Sequence, residues 1–132
     1  MLLVRHYVSR SKIHGLGLFL GEAVTCGQRI WKYEPTFDTE IPEKLLDYLL
    51  DPYVEVIKHN AEYLTSERVF RLGNDGDIFM NHSDQPTLVD RGEEMVAARD
   101  LKPGDELTCD YRSVHVLGFN PPESEPLDQL AQ

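Results

Sequence analysis

The sequence predicts a mainly β fold, a β-rich α+β domain with one short helical insert, and three observations predict it. Short runs of Val, Ile, Leu, Phe and Tyr recur between Gly, Pro, Asn and Asp clusters. Arg29-Ile30-Trp31-Lys32-Tyr33-Glu34 alternates polar with apolar residues in the two-residue period of a half-buried strand. Between Phe37 and Glu67 the spacing of the leucines turns helical. With 132 residues, 41% of them hydrophobic and 27% charged, the chain suits one domain. A fold of this size buries roughly 65 to 70% of its unfolded surface.

In chain order, Leu2 to Val8 is a β-rich apolar start, Ser9 to Gly17 a turn region, and Leu18-Phe19-Leu20 resumes the extended pattern, which predicts a first strand pair. The Arg29 strand ends at Pro35, which has no amide to donate. Pro42 at a first helical position, with Leu45, Leu46 and Leu49 on one face, predicts a short helix that Asp51-Pro52 stops. Tyr53 to Leu64 fits two readings: Val54 and Val56 alternate, while Val54, Ile57, Ala61 and Leu64 keep a helical face. Val69-Phe70-Arg71-Leu72, an Asn74-Asp75-Gly76 turn signal and Ile78-Phe79-Met80 predict a hairpin. Met95-Val96-Ala97-Ala98 and Glu106-Leu107-Thr108-Cys109 predict a second, around Lys102-Pro103-Gly104, where proline fixes φ and glycine supplies the positive φ of a type II turn. Residues 1–119 form the domain, with the insert at about 37–67, and 120–132 form a proline- and acid-rich tail.

The formal net charge of −10, from 23 acidic and 13 basic residues, argues against a direct nucleic-acid partner and is compatible with a basic peptide or protein. Met1-Leu2-Leu3-Val4 meets Arg5 and His6 at once, without the apolar core of a signal peptide, and no later run approaches the ~18 residues of a membrane span. Cys26 and Cys109 are too few for a Cys-rich zinc site or a disulfide framework. The expectation is a reduced, cytoplasmic chain, or a nuclear one in a eukaryote, with no membrane association.

Two segments stand out, Asn81-His82-Ser83-Asp84-Gln85-Pro86 and Gly104-Asp105-Glu106-Leu107-Thr108-Cys109-Asp110-Tyr111, each ending an apolar run in polar groups. Asn81 and His82 offer paired donors and acceptors to a heteroaromatic ring, or simply satisfy a turn. His82-x-Asp84 lacks the further ligands that a transition metal requires. Cys109 beside Asp110 has its thiolate disfavoured, which argues against a thiol nucleophile. Tyr111 places a hydroxyl at a strand end, as a site group or as a packing residue. Gly15-Leu16-Gly17 lets backbone approach a ligand closely, and Leu20 breaks any dinucleotide-binding glycine pattern.

Taken in order, Gly15-Leu16-Gly17, Ile30-Trp31-Lys32-Tyr33, Asn81-His82-Ser83-Asp84-Gln85-Pro86 and Glu106-Leu107-Thr108-Cys109-Asp110-Tyr111 resemble the SET-domain protein-lysine methyltransferases, over roughly residues 5 to 112. The resemblance implies a SET-like fold of several small sheets, with a knot-like crossing near the C-terminus that joins the last two segments. It implies S-adenosylmethionine as cofactor, bound by Gly15, Leu16, Gly17, Asn81 and His82, and no metal. A lysine of a basic or histone-like protein would enter from the opposite face through a narrow channel. Tyr111 would be the catalytic tyrosine, with Tyr33 lining the substrate channel and Phe119 closing it in place of the absent zinc-binding flanks. A second copy of the chain or another partner would complete the substrate groove. Glu34-Pro35, Asp84 and Thr87 depart from the family pattern, Asp84 standing for a frequent cysteine and Thr87 for a frequent asparagine. A noncatalytic SET-like module that binds cofactor or peptide is the alternative.

Overall fold

The computed structural model describes residues 1–118, so Phe119 and the expected tail lie outside the described residues. Among the described residues, ten short strands and few helical turns build three small sheets, in agreement with the mainly β expectation. Strands β1 (His6–Arg10) and β2 (Leu16–Leu20) pair antiparallel where the sequence predicts a strand pair, each extending two residues into the expected Ser9–Gly17 turn. Strand β3 (Arg29–Lys32) departs from strict alternation, because a one-residue register shift against its neighbour turns both Ile30 and Trp31 inward.

The insert is more varied than the single helix expected. After β4 (Thr39–Pro42), residues Glu43–Tyr48 form a 3₁₀ helix with no buried residue, so Leu45 and Leu49 face outward instead of building an apolar stripe into a core. Helix α1 (Asp51–Asn60) starts where the first helix was expected to stop, with Pro52 in its first turn. Both readings of Tyr53 to Leu64 are realised in succession, since α1 gives way to β5 (Glu62–Leu64).

Strand β6 (Val69–Leu72) pairs with β4 and β5, and the predicted hairpin to Ile78-Phe79-Met80 does not form. Gly76–Phe79 is instead a 3₁₀ turn, begun by the Asp75 side chain accepting from the Asp77 amide. Strands β7 (Asn81–His82), β8 (Leu88–Asp90), β9 (Glu94–Ala97) and β10 (Glu106–Cys109) follow. The second predicted hairpin is also replaced: β9 pairs with β3 and β8, whereas β10 pairs with β2 and β7. The turn between them is as expected, with Gly104 at φ +92° and the Asp105 amide donating to the Lys102 carbonyl at 3.1 Å.

The sheets run β1-β2-β10-β7, β3-β9-β8 and β4-β6-β5. Leu18, Leu20, Ile30, Leu88 and Leu107 are fully buried in the main core, while Ile57, Ala61 and Phe70 form a second cluster beneath α1. Among the described residues no helix is long and apolar enough to cross a membrane.

Candidate active site

The site is built where β7 and β10 run parallel, Asn81 beside Thr108 and His82 beside Cys109. Thr87 locks that pairing from below. Its amide donates to Thr108 Oγ1 at 3.0 Å, its hydroxyl accepts from the Thr108 amide at 2.8 Å, and the same hydroxyl donates to the Glu106 carbonyl at 3.0 Å. The departure at Thr87 is therefore a buried clamp on β10.

Asn81 is buried, and its Nδ2 lies 3.0 Å from the His14 carbonyl, 3.2 Å from the Leu16 carbonyl and 3.0 Å from Glu106 Oε2. One amide thus holds the turn around Gly15 against β10. His82 uses both ring nitrogens: Nδ1 accepts the Tyr111 backbone N–H at 3.1 Å, which leaves Nε2 to donate to Asp84 Oδ1 at 2.9 Å. Arg112 Nη2 meets the same Asp84 oxygen at 2.8 Å, and its Nε donates to Asp110 Oδ1 at 3.0 Å. Burial raises the Asp110 pKa, yet the hydrogen bonds from Arg112 outweigh it and hold the carboxyl below its ordinary value.

Tyr111 donates its hydroxyl proton to the Met80 carbonyl at 2.5 Å, and burial, reinforced by Cys109, pushes the phenol up to about 12. It is a neutral phenol at physiological pH. Burial, with Asp90, Asp110 and Glu62 adding to it, also pushes the Cys109 thiol up to about 12, so no thiolate is available there.

Two cavities meet at this tyrosine. The larger, of about 670 Å³, is lined by Ile13, His14, Gly15, Leu16, Asn81 and His82 among others. The smaller, of about 80 Å³, has apolar walls from Trp31, Met80 and Met95 and carries Glu62, Arg71 and Asp77. Tyr111, His59, Asn60, Ile78 and Val116 line both. Asp77 is fixed by the Trp31 indole, whose Nε1 donates to Oδ2 at 2.8 Å.

Of the residues singled out from sequence, Gly15, Leu16, Asn81, His82 and Tyr111 come together around the larger cavity. Gly17 lines neither cavity. A Cβ there would lie 2.5 Å from Glu106 Oε2 and 2.9 Å from Ser11 Cβ, so strand packing already demands the glycine. Tyr33 also lines neither, its ring lying 3.9 Å beneath the Arg71 guanidinium, which itself reaches the smaller cavity. Sequence reasoning missed His59, Asn60, Glu62, Arg71 and Asp77. The first four come from the insert region and β6, where no motif marks them, and Asp77 sits between a turn signal and a segment that reads as a strand.

A family model described as SET domain matches residues 15–112. Among solved structures, the chain is similar to a Plasmodium falciparum protein described as a histone methyltransferase, with TM-score 0.58, 18% identity, and coverage of 83% of this chain and 95% of that one. It is also similar to a humanized mutant of the Chaetomium thermophilum Polycomb Repressive Complex 2 bound to an inhibitor, with TM-score 0.64, 18% identity, and coverage of 84% of this chain but 15% of that one. At such identity the likeness is one of fold. No curated protein matches the chain significantly.

Proposed function

Because the chain belongs to the SET-domain family, we propose that it is an S-adenosylmethionine-dependent protein-lysine N-methyltransferase. The observation that carries this reading is the meeting of a large and a small cavity at one half-buried tyrosine. A methyl transfer between two substrates arriving from different sides needs that arrangement.

The larger cavity fits the methyl donor. Its volume, about 670 Å³, lies within the roughly 300–1,000 Å³ of small-molecule sites. Gly15, at φ +48° and with nothing within 4 Å of where a Cβ would stand, leaves backbone open to a ligand. Ile13, Leu16 and Phe79 supply apolar surface for a nucleoside. Since both His82 ring nitrogens are engaged, contact there falls to its backbone and ring face. When bound, S-adenosylmethionine supplies a methyl group on a positively charged sulfur.

The smaller cavity suits a lysine side chain. Trp31, Met80 and Met95 can enclose its aliphatic stem, and the Glu62 and Asp77 carboxyls offer hydrogen-bond acceptors to the arriving ammonium. Partial desolvation between those walls then favours the neutral amine, the form that can attack a methyl carbon. Tyr111 spends its proton on the Met80 carbonyl, so its oxygen keeps lone pairs that can accept an N–H from that amine and point the nitrogen across the junction. Holding two reactants in line is most of what such a displacement requires. The net charge of −10 favours lysines in basic sequences.

The test is incubation with isotope-labelled S-adenosylmethionine and a panel of basic proteins and lysine peptides, followed by mass spectrometry. Label on lysine Nζ is expected. Label on no lysine, with the methyl donor bound, would reduce the chain to a binding module.

A further inference from the structure

Methylation of a lysine requires that the ammonium lose a proton inside the small cavity, and the proposed mechanism leaves the acceptor unassigned. Among the described residues that line both cavities, Tyr111 and His59 carry titratable side chains, whereas Glu62 and Asp77 line the small cavity alone, the first paired with Arg71 Nη1 at 3.6 Å and the second accepting from the Trp31 indole at 2.8 Å. Tyr111 is already protonated and donates to Met80, so it has no capacity to take a further proton. His59 is arranged differently. Its Nδ1 lies 2.8 Å from the Glu55 carbonyl one helical turn back, an acceptor that only an N–H can satisfy. That bond fixes the tautomer and leaves Nε2 as a lone pair with no partner among the described residues. The Gly118 backbone lies against the ring, where a Cβ would come within 2.9 Å, so the imidazole is held at the cavity junction.

Resting on the methyltransferase reading, we propose that His59 Nε2 is the proton acceptor for the substrate lysine. The N–H bond of the ammonium breaks, its proton goes to Nε2, and the electron pair stays on the amine nitrogen for attack on the methyl carbon. The S–CH₃ bond then breaks with its electron pair left on sulfur. The imidazolium returns its proton to water, which the side chain can reach because it is 56% exposed. Glu55 Oε2 at 3.6 Å, and the C-terminal turn of α1 in which His59 stands, can carry the transient positive charge. Lys58 stands beside it on the helix, and Glu62, Arg71 and Asp77 share the small cavity with it. His14 and His82 lie along the larger one.

The test compares pH–rate profiles of lysine-peptide methylation by the wild-type chain, His59→Gln and His59→Ala, with thermal unfolding confirming that each variant folds. At neutral pH His59→Gln is expected to lower kcat by about 100-fold, the scale of a lost general base. KM for peptide and affinity for S-adenosylmethionine should stay within about twofold, as expected when only the transition state loses an interaction. The deficit should close at alkaline pH, where the lysine loses its proton unaided, and added imidazole should partly restore His59→Ala. A wild-type profile in His59→Gln, or a loss equal at every pH and untouched by imidazole, would overturn the assignment and leave the methyltransferase reading standing. A wild-type chain that methylates no lysine removes both.

Discussion

Glu62 shows what a single side chain at this site does to the whole. Burial, with Asp90 and Glu93 adding to it and Arg71 opposing it, pushes its carboxyl from the ordinary 4.5 to about 7. Asp77 is raised too, first by burial and then by Asp75. A carboxyl whose folded pKa exceeds its unfolded one binds more protons in the folded state between the two values, so its stabilising effect is complete below the unfolded value and is lost as pH rises through the folded one. Glu62→Gln should therefore match the wild type in urea midpoint near pH 4.5 and become the more stable of the two by pH 7. A difference that stays flat across that range would refute the burial of Glu62. At this scale the sequence was partly legible. Asn81, His82 and Tyr111 announce themselves as polar groups ending apolar runs, and all three lie around the larger cavity. Gly17 illustrates the limit, because a glycine required by the Glu106 carboxylate looks the same in sequence as one required by a ligand.

Arg71 illustrates the scale of the element. It occupies the middle strand β6 with Glu40 of β4 and Glu62 of β5 directly opposite it in register, and Glu93, from the turn between β8 and β9, closes on the same guanidinium at 3.3 Å. The side chain is 5% exposed, so one buried cation ties the insert sheet to the sheet formed by β3, β9 and β8. Removing one partner of a buried ionic cluster costs about 3–5 kcal/mol. Arg71→Met should fall near the lower end of about 3 kcal/mol, since Glu62 can take up a proton and Glu93 is solvated. Chemical denaturation at pH 7 measures it; a loss below about 1 kcal/mol, the value of an exposed pair, would show that the clasp is not buried. Strands β2, β3, β6, β9 and β10 were readable from residue type, and the Lys102-Pro103-Gly104 turn from its chemistry, whereas Ile78-Phe79 read as a strand and is a 3₁₀ turn, and β4 and β8 carried no signal. Pairing was not readable, because β9 and β10 each find partners far away in sequence and local hairpin logic assigned them to each other.

For the whole molecule, the ordered set of four segments carried the family, and the match over residues 15–112 agrees with it. What no segment could carry is the pair of cavities, since these depend on α1 delivering His59 and Asn60 to the point where the β7 and β10 strands converge. The insert has the least informative sequence and supplies much of the junction. Tyr111, lining both spaces, is therefore the residue on which the methyltransferase reading depends.

Tyr111→Phe tests this most directly, with calorimetric titration of S-adenosylmethionine and lysine-peptide methylation measured on the same preparation. Loss of the hydroxyl leaves the Met80 carbonyl without its donor, about 1–3 kcal/mol, so both proteins are compared well below their melting temperatures. Affinity for the methyl donor within about twofold of the wild type is the predicted result, with methylation lowered by about 100-fold, as when one preorganised hydrogen-bonding group is removed. Undiminished methylation by Tyr111→Phe would contradict it.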